Sequence, residues 1–262
     1  MKVAVVQQNG NPGKPNENRK KALRFAREAI ENNADLVLFH EELLLGYCKN
    51  NLDELAEPEN GETSQAFTKL LLETNSEACI VYGLTEKCGG NFYISAPVIT
   101  NKGVIANYRK THLWWKAEGL RDETKRFLPG ERLVTFEHCS SKIGIMICYD
   151  GDFHEMARTY ADKGCDLLLW LNNRGSRGHD DRVEELASNN SLNFSVSCCC
   201  GLDESGNICR GGSNITAYNG ELLSEIWDSE GIIYAEIDGE KALNHRIANP
   251  WYIGRRKDLY FK

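Results

Sequence analysis

Short, strongly apolar runs alternate with amphipathic segments along this 262-residue chain, and both halves repeat the same order of elements. One face of the first helical segment, opposite arginine and glutamate, carries the apolar side chains Ala22, Phe25, Ala26, Ala29 and Ile30. Strands that are apolar throughout are typical of sheets covered on both faces. Because no Pro/Ser-rich linker interrupts the chain, the pattern predicts one mixed α/β domain over residues 1–262.

The predicted elements follow from the apolar runs and the turn residues between them. The first half is predicted to hold strands at Val3–Gln7, Leu36–Phe39 and Ala78–Leu84, helices at Glu17–Asn32 and Ser64–Glu73, and a hairpin of Phe92–Ile99 with Val104–Tyr108. The second half is predicted to hold a strand ending at Cys148, helices at about Phe153–Lys163 and Asp180–Leu192, strands at Asp166–Leu171, Phe194–Cys200 and Ile232–Ile237, and a hairpin turning at Asn219-Gly220.

Charge and hydropathy limit the classes of partner. The formal net charge is −7 and the isoelectric point is about 5.5, so binding to nucleic acid or to an anionic membrane is not favoured. No stretch approaches the ~20 apolar residues of a membrane-spanning helix, and the N-terminal apolar run is too short for a signal peptide. The sequence therefore predicts a cytoplasmic protein without nucleic-acid or membrane partners.

Ten cysteines without a secretory signal indicate reduced thiols rather than a disulfide framework. The triplet Cys198-Cys199-Cys200, with Cys209 as a candidate fourth ligand, suggests a metal site. Adjacent residues of a strand alternate between faces, however, so three in a row cannot converge on one ion while extended. We therefore interpret these cysteines as small buried hydrophobic residues and predict no metal.

Cys148 ends an apolar run, and the residues after it form a tight turn that opens a helix. A thiol at such a turn faces a cleft near a helix N-terminus, which favours the thiolate. Two other apolar runs end in groups suited to assist it, a carboxylate at Glu41 or Glu42 and an ammonium at Lys110. Strand alternation places adjacent glutamates on opposite faces, so only one points into the site. A base, a cation and a thiol are the groups that acyl transfer through a thioester requires.

Four blocks of sequence, in matching order and spacing, resemble motifs of the nitrilase (carbon–nitrogen hydrolase) superfamily. They are Phe39-His40-Glu41, Tyr108-Arg109-Lys110-Thr111-His112-Leu113, Cys148-Tyr149-Asp150, and the stretch from Glu123 to Pro129-Gly130. The resemblance covers Val3 to about Asp238 and implies the family's four-layer α-β-β-α sandwich, two sheets face to face between outer helices. It also selects Glu41 over Glu42, because the family's glutamate occupies that place in the first block.

The resemblance implies a role for each of these groups. Cys148 is expected to attack the amide carbon, while Glu41 takes the thiol proton, passes it to departing ammonia and then activates water. Lys110 is expected to stabilise the oxyanion together with the backbone N–H of Tyr149. Glu123 is expected to hold the lysine in place or to share the proton transfer. The mechanism requires no metal and no organic cofactor.

The substrate-binding candidates lie after the nucleophile and after the next strand, at Tyr149, Asp152, Asn172, Asn173 and Arg174. Asp152 stands where relatives that act on carboxylated substrates often carry arginine, and an acidic group facing the pocket would repel an anion. We therefore expect a neutral or cationic substrate rather than an anionic one. The opposite interpretation stays open, since Arg174 is suited to bind a carboxylate.

The expected function is that of a thiol amidohydrolase that releases ammonia from a small linear amide or carbamoyl compound. A nitrilase or an acyltransferase of the same superfamily is an alternative, and so is a catalytically idle scaffold. All four catalytic positions are filled, which argues against the scaffold. In similar proteins the chain end packs across a dimer partner, so residues 239–262 are predicted to form a tail at a homodimer interface.

Overall fold

The computed structural model describes residues 1–46, 52–116, 122–173, 180–202, 206 and 208–260. The strands within these ranges form two seven-stranded sheets. The first sheet contains β1 (Lys2–Gln7), β2 (Leu36–Leu38), β3 (Cys79–Val81), β4 (Leu84–Cys88), β5 (Asn91–Thr100), β6 (Gly103–Arg109) and β14 (Gly231–Glu236). The second contains β7 (Thr135–His138), β8 (Ser141–Ile147), β9 (Leu167–Asn172), β10 (Asn193–Cys198), β11 (Cys200–Leu202), β12 (Ile208–Thr216) and β13 (Leu222–Trp227).

Three neighbouring strands at the centre of each sheet are parallel. The first sheet has the order β14-β1-β2-β3-β5-β4, with β6 beside β5, and β1, β2 and β3 are parallel. The second has the order β11-β12-β10-β9-β8-β7, with β13 beside β12, and β8, β9 and β10 are parallel. Because the carboxyl ends of parallel strands meet at one edge, the segments after β2, β8 and β9 are brought to the same end of their sheets.

The two sheets pack face to face through β1 and the centre of the second sheet. The buried hydroxyl of Ser197 in β10 donates a 2.7 Å hydrogen bond to the carbonyl of Val6 in β1. Oε1 of Gln7 accepts hydrogen bonds from both the backbone N–H and the hydroxyl of Ser213 in β12. These buried polar contacts fix the sheets against each other within an otherwise apolar core.

Helices cover the outer faces of both sheets. The first sheet carries α1 (Pro15–Glu31) and α3 (Glu62–Glu73), with the short α2 (Leu52–Leu55) between them in sequence. The second carries α4 (His154–Asp162) and α5 (Asp180–Asn190), and the hydroxyl of Tyr160 in α4 donates to the carbonyl of Ile145 in β8. The predicted four-layer sandwich is confirmed. No helix within the described residues is long and apolar enough to cross a membrane.

Two strands predicted as continuous are interrupted. The segment Ala78–Leu84 divides into β3 and β4, because the chain packs at Gly83 against the backbone of residues 40–42 so closely that a Cβ atom would overlap it. The segment Phe194–Cys200 divides into β10 and β11, since the N–H of Cys199 donates to β9 and that of Cys200 donates to the carbonyl of Gln8. Strand β7 lies in a segment where no element is predicted.

The chain end contains three helices, α6 (Gly239–Arg246), α7 (Pro250–Ile253) and α8 (Lys257–Tyr260), where only a polar and aromatic tail is predicted. Buried Arg246 joins this segment to the domain by donating hydrogen bonds to four carbonyls, those of Ala161, Cys165, Asn190 and Ser191. The outer side of the segment exposes large apolar side chains at Ile247, Trp251, Ile253, Leu259 and Tyr260. Packing of this segment against a second copy stays a prediction.

Candidate active site

The ammonium of Lys110 lies between two buried carboxylates. The backbone of this residue is held on both sides, because its N–H donates to the carbonyl of Ile94 and its carbonyl accepts from the N–H of Gly130, each at 2.8 Å. Its Nζ lies 2.8 Å from Oε1 of Glu41 and 2.7 Å from Oε1 of Glu123. All three side chains are 0% exposed, so solvent screens these charges little.

Burial and charge oppose each other in this group. Burial raises the pKa of Glu41, and the charge of Lys110 counteracts that rise. For the lysine, burial acts to lower the pKa, but the negative charges of Glu41, Cys148 and Glu123 outweigh it and hold the pKa well above its usual value. The side chain of Cys148 also interacts with the carboxyl of Glu41 and lowers its pKa. A carboxyl with a raised pKa beside a thiol is suited to exchange a proton with it near neutral pH.

Cys148 occupies a strained turn directly after β8. Its φ of +46° lies in the left-handed region, which is uncommon for a residue with a side chain and is often found at functional sites. Residues Cys148–Asp152 form a short 3₁₀-helix. The carbonyl of Cys148 accepts a 2.9 Å hydrogen bond from Nε1 of Trp170, and a Cβ atom on Gly151 would overlap the same indole ring. The indole therefore holds the turn on the end of β9.

Glu41 and Glu42 lie in a turn and not in a strand, because β2 already ends at Leu38. Strand alternation therefore does not set the directions of their side chains, contrary to the prediction. Glu42 has a φ of +49°, so its side chain leaves the backbone in a different direction from that of Glu41. Oε1 of Glu42 accepts a 3.2 Å hydrogen bond from the hydroxyl of Thr85, whereas Oε1 of Glu41 accepts from Lys110. Both glutamates are buried, but only one of them contacts the lysine.

Glu123 is held by both its backbone and its side chain. It begins a 3₁₀-helix, Glu123–Lys125, and its N–H donates a 2.9 Å hydrogen bond to the carbonyl of Trp114. Its Oε2 accepts a 2.8 Å hydrogen bond from the N–H of Trp114, which leaves Oε1 for Lys110. The four residues predicted as catalytic from the sequence, Glu41, Lys110, Glu123 and Cys148, are thus brought together in one buried group.

Asp150 is a buried organising residue for which no role is predicted from the sequence. Its Oδ2 accepts from the hydroxyl of Tyr108 at 2.7 Å and from the N–H of Ile147 at 2.9 Å. Its Oδ1 accepts from the hydroxyl of Thr111 at 3.0 Å, and also from the N–H and the imidazole of His112. Asp150 therefore joins the segment carrying Lys110 to the turn carrying Cys148. Its position in the third sequence block is the feature of the sequence from which a role for Asp150 could have been predicted.

The substrate-binding candidates that follow the nucleophile differ in their surroundings. The ring of Tyr149 is half-buried and lies edge-on to Trp114 and Phe153, with centroids 5.0 and 5.1 Å apart. Asp152 forms an ion pair with Arg182 of α5. The expectation of a neutral or cationic substrate assumed an unopposed negative charge at Asp152. The structure instead pairs this carboxylate with a guanidinium.

The remaining candidates lie at the end of β9. Asn172 and Asn173 are both buried, and Oδ1 of Asn173 accepts from the thiols of Cys199 and Cys209. Arg174 lies outside the described residues. Among the residues that are described, no group of three or more His, Cys, Asp or Glu side chains is arranged to hold a metal ion.

Curated proteins with similar sequences are amidases and nitrilases. The chain is 28% identical to the omega-amidase of Homo sapiens over 93% of this chain and 91% of that protein. It is 30% identical to the 2-oxoglutaramate amidase of Bacillus subtilis, with 98% of each chain covered. It is 32% identical to the nitrilase of Pyrococcus abyssi, with 100% of each covered.

Two solved structures share the fold over almost their full length. A carbon-nitrogen hydrolase of Helicobacter pylori superposes with a TM-score of 0.87 at 24% identity, covering 99% of this chain and 96% of that one. A CN-hydrolase superfamily protein of Xanthomonas campestris, with an arsenic adduct in its active site, gives the same TM-score of 0.87 at 21% identity and covers 98% and 97%. Residues 2–243 match the carbon-nitrogen hydrolase family. The chain belongs to this family, and it is a hydrolase that acts on carbon–nitrogen bonds other than peptide bonds.

Proposed function

We propose that this hydrolase is a thiol amidohydrolase that releases ammonia from a small linear amide or carbamoyl compound. The observation that carries the proposal is the buried group in which the Lys110 ammonium lies 2.8 Å from Glu41 and 2.7 Å from Glu123, beside the thiol of Cys148. A base, a cation and a nucleophile within one buried site are what amide cleavage through a thioester requires.

In this proposal Cys148 attacks the amide carbon while Glu41 accepts the thiol proton. The oxyanion that forms is stabilised by Lys110 and the backbone N–H of Tyr149, and each such donor is worth roughly 3 kcal/mol. Collapse of the tetrahedral species breaks the C–N bond, and Glu41 returns the proton to the departing ammonia. The same carboxylate then takes a proton from water, which attacks the thioester and releases the carboxylic acid and the free thiol. Glu123 holds the lysine throughout.

Nitrile hydrolysis is the second candidate function. The 32% identity with a nitrilase over the whole chain favours it. A nitrile would react at the same thiol, so the two candidates differ in substrate rather than in catalytic group. An acyltransferase and an idle scaffold have less support, since the relatives with the best coverage bear the names of hydrolases.

We propose a neutral or cationic substrate, and the argument for it differs from the one based on the sequence. Arg182 compensates the charge of Asp152, so repulsion by that carboxylate no longer supports it. The support comes instead from the excess of carboxyl groups around the site, where Glu41, Glu42 and Glu123 are all buried. An anionic end group would have to approach these carboxyl groups.

We also propose a homodimer in which the segment α6–α8 meets a second copy. Its support is the number of large apolar side chains that this segment exposes, including Ile247 at 76% and Trp251 at 69% exposure. Light scattering tests this arrangement. A wild-type protein that is monomeric at micromolar concentration would contradict it.

The activity is tested by measuring ammonia release from amides, carbamoyl amines and nitriles with wild-type protein and with Cys148→Ala. Loss of all turnover in a folded variant is expected, because the position tolerates a small side chain but the nucleophile is gone. Cys198→Ala, which removes another buried thiol, is the matched control and should lose stability rather than chemistry. Retention of more than a few per cent of activity by Cys148→Ala would rule out the thioester route.

A further inference from the structure

A small cavity is lined by the two residues that flank Glu41 in the chain, His40 and Glu42. Its wall is formed in part by His40, Glu42, Asn173, Cys199 and Cys209, and its volume is about 30 Å³. A water molecule needs about 10–15 Å³ by this measure, so the cavity is large enough for a guest of a few heavy atoms at most. None of the mechanistic steps above uses His40 or Glu42.

Two buried polar atoms of this wall lack partners among the described residues, Oε2 of Glu42 and Nε2 of His40. Nδ1 of His40 lies 2.9 Å from the carbonyl of Glu41, and a carbonyl can only accept, so Nδ1 carries the proton. Burial lowers the pKa of His40 to about 4, so the ring is neutral and Nε2 presents a lone pair. The raised pKa of Glu42, about 8, keeps its carboxyl protonated at neutral pH while the cavity holds no cation. A cation that binds beside it favours the ionised form, and both unpartnered atoms are then acceptors that call for a donor.

The surrounding charges balance while Glu42 is protonated, and its ionisation creates a demand for one more cation. The charged groups that act on Glu42 are the carboxylates of Glu41 and Glu123 and the cations Lys110 and Arg126. With Glu42 included, three carboxyl groups face two cations, and both Glu41 and Glu123 are already engaged with the lysine. Burial, followed by the charges of Glu41 and Glu123, raises the pKa of Glu42 to about 8. An added positive charge would reverse that shift, because an opposite charge favours the ionised carboxylate.

We infer that this cavity binds a primary ammonium group, carried by the substrate at the end opposite its amide. The group has three N–H donors and one positive charge, and it is small enough for the cavity. Its donors match the Oε2 of Glu42 and the Nε2 of His40, and its charge offsets the third carboxylate. A carboxylate or a hydroxyl-free alkyl end would leave both acceptors unpaired.

The inference rests on the proposed amidase activity and narrows its substrate to amides that bear an amino group. The neighbouring strands β8 and β9 support the link between cavity and nucleophile, since Cys148 follows β8 and Asn173 of the cavity wall follows β9. Glu42 follows Glu41 directly in the chain. The carboxyl of Glu42 also interacts electrostatically with Glu41, Glu123 and Lys110, so an ammonium bound at Glu42 would lie near the catalytic group.

Binding is tested with methylammonium by isothermal titration calorimetry, with tetramethylammonium as the probe of equal charge that has no N–H donors. We expect methylammonium alone to bind wild-type protein, and Glu42→Gln to weaken that binding about tenfold or more, because the amide oxygen that replaces the carboxylate still accepts but carries no charge. Glu86→Gln is the matched control, since Glu86 is an equally buried carboxylate that pairs with Arg109 instead. It should leave methylammonium binding unchanged.

Specificity is tested by comparing kcat/KM for ω-aminoalkanamides of increasing length with the isosteric neutral alkanamides. The wild-type protein should prefer the amino compound about tenfold or more, and the ratio should fall towards unity in Glu42→Gln. The wild-type ratio and the calorimetry of the two probes do not depend on the folding of any variant.

Equal binding of the two probes, or no binding of either, would overturn the inference. So would a preference for amino amides that survives Glu42→Gln. Methylammonium binding without any preference among amides would overturn the assignment to the substrate and indicate a site for the released ammonium ion. If the proposed activity is wrong, no amide yields ammonia. The calorimetry of the wild-type protein then decides by itself whether the cavity binds ammonium.

Discussion

The hydroxyl of Tyr108 donates a 2.7 Å hydrogen bond to Oδ2 of Asp150, and both side chains are fully buried. Tyr108 stands two residues before Lys110, and Asp150 stands two residues after Cys148. The bond therefore joins the strand that delivers the ammonium to the turn that delivers the thiol. Since the two segments belong to different sheets, it also fixes the sheets relative to each other at the site.

Asp150→Asn should lower the free energy of unfolding by about 2–4 kcal/mol. Each oxygen of Asp150 accepts at least two hydrogen bonds, and an amide would turn one acceptor into a donor facing other donors. Urea denaturation followed by circular dichroism measures the loss. Thr111→Val, which removes a single donor to the same carboxylate, is the control and should cost about 1 kcal/mol. Equal stability of Asp150→Asn and wild type would show that the network is not structural.

Glu123→Gln should lower kcat about tenfold or more, with a smaller effect on KM. The substitution removes one of the two carboxylates that hold the Lys110 ammonium, so the lysine loses a fixed position and about 1.4 kcal/mol or more of transition-state stabilisation. Ammonia release measures both constants. The neighbouring Asp122→Asn is the matched control, because Asp122 pairs with Lys125 rather than with the site. A Glu123→Gln variant with wild-type kcat would remove Glu123 from the catalytic group.

Glu42→Gln should make the stability of the protein less sensitive to pH. Burial, with the charges of Glu41 and Glu123, raises the pKa of Glu42 from 4.5 to about 8, and the cations Arg126 and Lys110 offset this only in part. The folded state thus holds this proton more tightly than the unfolded state. The stability that the neutral carboxyl contributes is fully present below about pH 4.5 and is lost as the pH rises to about 8.

A glutamine cannot ionise, so the free energy of unfolding of Glu42→Gln should rise relative to that of wild type as the pH rises through this window. The difference should reach several kcal/mol at the upper end, since one pKa unit is about 1.4 kcal/mol. Urea unfolding of both proteins at a series of pH values measures the difference. Parallel pH profiles for the two proteins would contradict the raised pKa of Glu42.

Gly83→Ala should both destabilise the protein and reduce its activity. A Cβ atom at this position would overlap the backbone of residues 40–42, which carries Glu41. Overpacking of this kind costs about 1–3 kcal/mol, and the displaced turn would move the carboxylate away from Lys110. Thermal unfolding and ammonia release measure the two effects. Gly10→Ala is the control, since nothing lies within 4 Å of its added methyl group. Normal activity in Gly83→Ala would show that the turn tolerates displacement.

The sequence by itself indicated a mixed α/β fold, and its resemblance to the carbon–nitrogen hydrolase family selected the four residues of the candidate site. Burial on both faces leaves a continuous apolar run, and the polar residue that ends such a run is visible in the chain, as it is at Glu41, Lys110 and Cys148. These signals are local. The same locality explains why the bend at Gly83 was missed, because an apolar run does not record which backbone packs against it.

Only the tertiary structure decided which side chains meet. Lys110 and Glu41 are 69 residues apart, and Asp152 and Arg182 are 30 apart, so neither pairing leaves a periodic trace in the sequence. The sharing of one ammonium by two carboxylates, the five donors on Asp150 and the atoms of Glu42 and His40 that lack partners among the described residues all depend on how two sheets face each other. Hydrogen bonds and ion pairs act over a few ångströms of space, whereas sequence patterns report separation along the chain.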